Sequence, residues 1–273
     1  MQISAFDAVL DAAPGLRKDL VSHVRMGNLP VLQHADHGGR PVVKTGSPRK
    51  VWTRYGQAVS VDGSSAIEVD GRIIATSGSG PLSITIYMSL DVTGSATKYA
   101  FGQSNSGGTV YVYIGGFTGD GTGGTTNGRQ YISFGFYNSG NGRIKHCYFP
   151  SYVNKELFMF TGVMDSATAF RCYLNGNLHD AASFDYVYGL GNSMPSNRTD
   201  RWGFGQVGEF TGSRATGLIG EALVHRRALS AEEAIYLYKQ FGRKRFNNTQ
   251  AFVPTPVVTV RPWYYYRQAR RAA

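Results

Sequence analysis

The sequence predicts an all-β fold, an antiparallel sandwich built from many short strands. Three observations point there. Glycine and aromatics are abundant, with 35 Gly, 17 Tyr and 15 Phe among 273 residues, while charged residues make up only 17%. Aromatic and β-branched runs alternate with period two, as half-buried strands require. Those runs are separated at short intervals by Gly, Asn, Asp and Ser, the chemistry of tight turns.

Taken in chain order, residues 3–25 read as a helix. Ser4 can cap it, and Phe6, Val9, Leu10, Leu16, Leu20, Val21 and Val24 recur at helical spacing around an interruption at Pro14-Gly15. Residues 27–50 are rich in Gly, Pro and His and read as an extended arm. His34, Asp36 and His37 cluster there, but two His and one Asp on an arm coincide by chance more often than they bind metal. Residues 1–50 are therefore expected to form a helix and arm ahead of a sandwich at 51–240.

The period-two pattern opens with Ala58–Val61, turns at Asp62-Gly63, resumes at Ala66–Val69 and turns at Asp70-Gly71. Ile84, Ile86 and Met88 alternate with Ser83, Thr85 and Tyr87, which predicts a strand with one buried face. Further strands are expected at Val110–Ile114, Tyr131–Tyr137, Leu157–Met164, Phe170–Leu174, Trp202–Val207 and Leu218–His225. Gly115–Gly128 is glycine-rich enough to read as a long hairpin loop on the rim.

After the last strand, Ala228–Glu233 opens a short helix. Ser230 and Glu233 have capping-box spacing, and Ala234, Ile235 and Tyr238 supply an apolar stripe. Residues 241–273 contain Pro254, Pro256 and Pro262 and read as an extended, basic arm.

Net charge is informative once it is divided along the chain. Residues 1–50 carry 7 basic and 4 acidic side chains, residues 51–238 carry 13 and 14, and residues 239–273 carry 8 and none. The sandwich is nearly neutral, so the total of +10 belongs to the ends. A basic tail suits an acidic protein face, a membrane surface or nucleic acid. No run of 18 apolar residues exists, so membrane insertion is not expected. Met1–Leu10 includes Asp7 and lacks a basic region followed by an apolar one, so no signal peptide is expected. Cys147 and Cys172 lie in strand-like runs and read as buried thiols, although spacing leaves a pairing open.

The segment from Gly217 to Glu233, Gly-Leu-Ile-Gly-Glu-Ala-Leu-Val-His-Arg-Arg-Ala-Leu-Ser-Ala-Glu-Glu, resembles the closing strand and helix of laminin-G-like, concanavalin-A-like jelly-roll domains. Phe170–Gly176 is similar to that family's hairpin with an Asn-Gly turn, and Leu82–Leu90 to an early strand. The resemblance covers about 185 residues. It departs at Gly220, where the family often has Asp. Calcium binding varies in the family and no ligand carries over. Asp62, Asp70 and Asp120 read as turn acids, and no cofactor is expected.

The fold of that family also hosts glycosidases, which need paired carboxylates. Their Glu-x-Asp-x-x-Glu strand pattern is approached only by Glu68-Val69-Asp70, whose third position is Ile73. No nucleophile elbow or phosphate-binding glycine loop occurs, so catalysis is not expected. Sugar binding is a better match for the aromatic content, with Tyr111, Tyr113, Tyr188 and Trp202 as contacts and Gly115–Gly128 and Tyr188–Asn197 as rim loops. About half of the strand aromatics must instead fill the core.

A sandwich of this kind flanked by a basic, Pro-containing and aromatic tail resembles virion proteins of tailed bacteriophages. That resemblance implies a virion location and a capsid decoration or head-surface role, with a tail- or neck-associated lectin-like adhesin as the alternative. Expected partners are major capsid, tail or neck subunits, copies of the chain itself in an oligomer or array, and a cell-surface glycan, with nucleic acid less favoured. Arg243, Lys244, Arg245, Arg261, Trp263 and Tyr265 are the expected assembly anchors, since Arg and aromatics dominate interface energetics.

Overall fold

The computed structural model describes residues 10, 12–24, 42–53, 55–69, 81–91, 98–104, 110–118, 130–138, 141–149, 157–166, 168–179, 183–188, 202–206 and 214–246. Sixteen strands are named among them, and they form two antiparallel sheets, as the sequence predicts. In chain order these are β1 Leu20–Val24, β2 Val42–Thr45, β3 Arg49–Thr53, β4 Gly56–Asp62, β5 Ala66–Val69, β6 Leu82–Leu90, β7 Lys98–Ser104 and β8 Val110–Thr118. They continue as β9 Gln130–Asn138, β10 Asn141–Phe149, β11 Phe158–Ser166, β12 Ala169–Leu174, β13 Asn177–Leu178, β14 Ser183–Tyr188, β15 Trp202–Phe204 and β16 Thr216–His225. One sheet is ordered β13-β12-β11-β6-β16-β4-β3, with β1 also paired to β16, and the other β14-β10-β9-β8-β7-β15-β5-β2.

Side chains of both sheets meet in one core, where Val59, Ile84, Ile86 and Met88 of the first face Phe101, Ile114, Phe134 and Trp202 of the second. Phe134 packs edge-on to Phe160 at 6.3 Å between ring centroids. The sheets approach so closely there that a β-carbon on Gly162 would sit 2.5 Å from the Phe134 ring.

A second apolar layer covers the outer face of the first sheet. Tyr87, Met159, Val163, Tyr173 and Leu223 pack with Leu10, Leu16 and Leu20 of the N-terminal segment and with Leu229, Ala234 and Leu237 of helix α1 (Ala231–Phe246). For this reason β6 is buried on both faces, not on the one that its alternation predicts. Helix α1 starts at the expected capping box: Ser230 N–H donates to Glu233 Oε2 at 2.9 Å, and Glu233 N–H to Ser230 Oγ at 3.2 Å.

The N-terminal expectation is corrected. Leu10 and Ala12 are helical, but Pro14–Arg17 is a single 3-10 turn and Leu20–Val24 is strand. Leu16 and Leu20 are buried against the sheet's outer face and Val24 in the core between sheets, so one apolar pattern serves two environments. Strands β2 and β3 likewise begin before residue 51 and pair with β5 and β4, so the sandwich draws on the expected arm. Gly115 and Gly116 are not loop either: β8 runs to Thr118 between β7 and β9, whose ladders hold its backbone on both edges. Helix α1 continues to Phe246, so the first six residues of the expected arm are helical.

Candidate functional site

Local chemistry braces the β3–β4 hairpin. Thr53 Oγ1 donates to the Gly56 carbonyl at 2.7 Å and accepts the Tyr55 N–H at 3.1 Å. Gly56 has φ +123°, a conformation in the region that favours glycine. Tyr55, at the tip, is buried with its ring 6.0 Å from that of Tyr87. Strand β3 thus forms an anchored edge of its sheet.

Register decides which way its side chains stand. Lys50 pairs with Val59 and Trp52 with Gln57, and directly opposed residues share a face. Val59 and Val61 belong to the core between the sheets, so Lys50 and Trp52 stand on that same face where the sheet runs out. Trp52 is 42% exposed there. The Lys50 ammonium lies 5.2 Å from the centroid of its ring, and partial burial lowers the Lys50 pKa. Among the described residues the other exposed large apolar side chain is Leu178 on β13, which has no ring face. An exposed indole beside an ammonium can stack on the apolar face of a sugar ring while the cation donates hydrogen bonds to hydroxyls.

The expected contact residues fare differently. Trp202 is fully buried in the core, with Phe101 at 5.1 Å between ring centroids, so it touches no glycan. Its strand β15 lies inside its sheet between β5 and β7, and the face that carries Trp202 is covered by the core between the two sheets. Tyr111 and Tyr113 lie on β8, and Tyr188 ends β14 opposite Gly142. Arg243, Lys244 and Arg245 fall in the last turns of α1. Arg261, Trp263 and Tyr265 lie outside the described residues, as do His34, Asp36, His37, Asp70, Asp120, the loop from Tyr188 beyond its first residue, and residues 119–129 of the expected rim loop.

Other polar clusters have structural work. Asp62 Oδ1 accepts the backbone N–H groups of Ser64 and Ser65 at 3.0 and 2.9 Å and both their hydroxyls at 2.7 and 2.9 Å, which holds its carboxyl well below the usual range. It is a turn acid, as expected. Arg171 makes a bidentate pair with Asp165 at 2.7 and 2.6 Å and donates to the Leu229 carbonyl at 3.0 Å, joining β12 to the start of α1. Cys172 is buried in the core. Among the described residues no group of three or more His, Cys, Asp or Glu is arranged to hold a metal, and no helix is long and apolar enough to cross a membrane.

Sequence reasoning missed Trp52. The available signal was a Lys-x-Trp alternation just before a Gly-containing turn, yet exposure of a strand residue depends on whether its strand has a neighbour on each side.

The chain matches no protein-family model and no curated protein. Its fold is shared with solved β-sandwich binding domains. Domain 4 of AbnA, a GH43 extracellular arabinanase from Geobacillus stearothermophilus, solved with arabinotriose, is 14% identical at a TM-score of 0.55, over 81% of this chain and 98% of that one. The binding domain of Paraclostridial Mosquitocidal Protein 1 is 11% identical at 0.59, over 82% of this chain and 52% of that one. Botulinum neurotoxin type C, whose cell entry depends on interaction with two ganglioside molecules, is 12% identical at 0.58, over 82% and 51%. This chain spans about half the length of those toxin chains. At such identities the likeness establishes the fold alone.

Proposed function

We propose that this protein is a non-catalytic glycan-binding β-sandwich whose Trp52 is the stacking platform. The observation that carries the reading is the exposed indole on a hydrogen-bond-braced edge hairpin, with the Lys50 ammonium beside it. The chemistry is that of a sugar site, where an aromatic face takes the C–H surface of a pyranose and a few polar groups fix its orientation. Fold neighbours solved with arabinotriose, or described as ganglioside-dependent, support the same direction. A glycan array followed by calorimetry on the best ligand tests it. Trp52→Ala should weaken binding at least tenfold. An array without competable binding, or binding indifferent to Trp52→Ala, overturns the reading.

A second reading, a virion component that assembles through its C-terminal end, is favoured by one observation. Eight basic and no acidic side chains fall in residues 239–273, starting in the last turns of α1. Such a segment suits an acidic face of a neighbouring subunit. Removing residues 247–273, which carry four of those eight basic side chains, should leave the sandwich folded and reduce incorporation into particles. Unchanged incorporation overturns this reading.

A further inference from the structure

Strand β16 has one edge shared by two partners. Thr216–Ile219 pair with β4, while Ala222–His225 pair with β1, on the side opposite β6. The N-terminal segment therefore closes an edge that β4 does not reach. Its polar attachments converge on the end of β16. Arg226 N–H donates to the Asp19 carbonyl at 2.8 Å, and Arg227 Nε and Nη2 donate to the carbonyls of Lys18 and Gly15 at 3.1 and 3.3 Å.

At the centre, His225 Nε2 lies 2.8 Å from the Leu16 carbonyl, and the ring is fully buried. A carbonyl only accepts, so Nε2 carries the proton of a neutral imidazole. Its Nδ1 is buried with no hydrogen-bond partner. The charged groups that face this ring are Arg227, two residues past the end of its own strand, Glu233 of α1 and Asp19 of the N-terminal segment. Glu233 is held by Arg227 through two contacts of 2.6 Å. Ser83, the register partner on β6, donates to the Arg227 carbonyl and accepts the Leu229 N–H. The other buried histidine of this face among the described residues, His23, has its Nε2 3.2 Å from Glu221 Oε2.

We propose that residues 14–24 form an acid-released clasp, in which protonation of His225 frees β1 and the Pro14–Arg17 turn from the β16 edge while the two sheets stay paired. An imidazolium at this site would hold a second N–H without an acceptor, beside the Arg227 cation. Burial first, and the Arg227 charge with it, push the His225 pKa down to about 4 in the clasped state. A released ring regains its ordinary value, near 6.5. The clasped form thus binds fewer protons than the released one. The contribution of His225 to closure is fully present above about 6.5, opening rises about tenfold per pH unit below that, and the rise levels off near the lower value. Opening bares the backbone groups of Ala222–His225, an edge able to accept another strand.

Hydrogen–deuterium exchange of the full chain at pH 7.5, 6 and 5, corrected for intrinsic rates, tests this. Peptides covering 14–24 and 222–225 should lose protection about tenfold per pH unit below 6.5, while those of β11 and β12 keep theirs. His225→Gln retains a donor for the Leu16 carbonyl and cannot titrate, so its clasp should exchange with little pH dependence. Uniform loss across both sheets, unchanged exchange between pH 7.5 and 5, or a wild-type slope in a folded His225→Gln each overturns the clasp. Should His225→Gln fail to fold, the contrast between segments in the wild-type chain decides alone.

Discussion

The ring of Tyr87 occupies the space that a β-carbon on Gly220 would need. Tyr87 lies on β6 and Gly220 on the neighbouring β16, at the irregularity between Ile219 and Ala222. The Tyr87 hydroxyl donates to the Gln57 carbonyl on β4, so one side chain spans three strands. An aspartate at 220 would have to displace that ring.

Gly220→Ala is therefore expected to destabilise the fold by ~1–3 kcal/mol through overpacking, read as a lower urea midpoint. Tyr87→Phe should cost ~0.5–1.5 kcal/mol through the lost hydrogen bond to the Gln57 carbonyl. The double variant should lose less than the sum, since both act on one ring.

Trp52→Ala separates binding from stability. The side chain is exposed on an edge strand, so the melting temperature should stay within the range of surface substitutions, about 0.5 kcal/mol. Glycan binding should fall at least tenfold in calorimetry, and Lys50→Ala should weaken it less.

The Asn175-Gly176 turn carries both residues at positive φ, +52° and +78°. Asn175 Oδ1 also accepts the Met159 N–H at 2.9 Å, and a β-carbon on Gly176 would meet Tyr238 Cβ at 3.1 Å. Gly176→Val should cost ~2 kcal/mol or more and loosen α1, visible as faster amide exchange in that helix.

Glu233 caps α1 and clamps Arg227. Its pKa is lowered, first by the Arg227 hydrogen bonds. A depressed carboxyl contributes stability that is present above its ordinary range and lost as pH falls through its folded value. Glu233→Gln should lower stability at pH 7 by ~1 kcal/mol and flatten the acid limb of the stability–pH curve.

Much of the architecture was legible in the residues. The Asn-Gly turn, the capping box and the alternation of β4, β6, β9, β11, β12 and β16 are encoded within a few residues of each other. Trp202 was legible as a strand aromatic but not as a core one. A strand's pattern says which residues share a face, and only the strand's place in the sheet and the layer packed against it say whether that face is covered. The same blindness hid Trp52: β3 and β15 both carry a tryptophan, one on an edge and one inside a sheet.

By itself, then, the sequence determined the fold class, the local turns and caps, and the separation of a neutral sandwich from a basic end, because each depends on composition or short spacing. Tertiary structure decided the rest. It turned Leu20–Val24 from an apparent helix into a strand on β16, buried β6 on both faces, put Gly220 against Tyr87 and left Trp52 exposed beside Lys50. The physical reason is common to all four: burial and pairing are set by segments up to about two hundred residues away along the chain, and periodicity has no access to them.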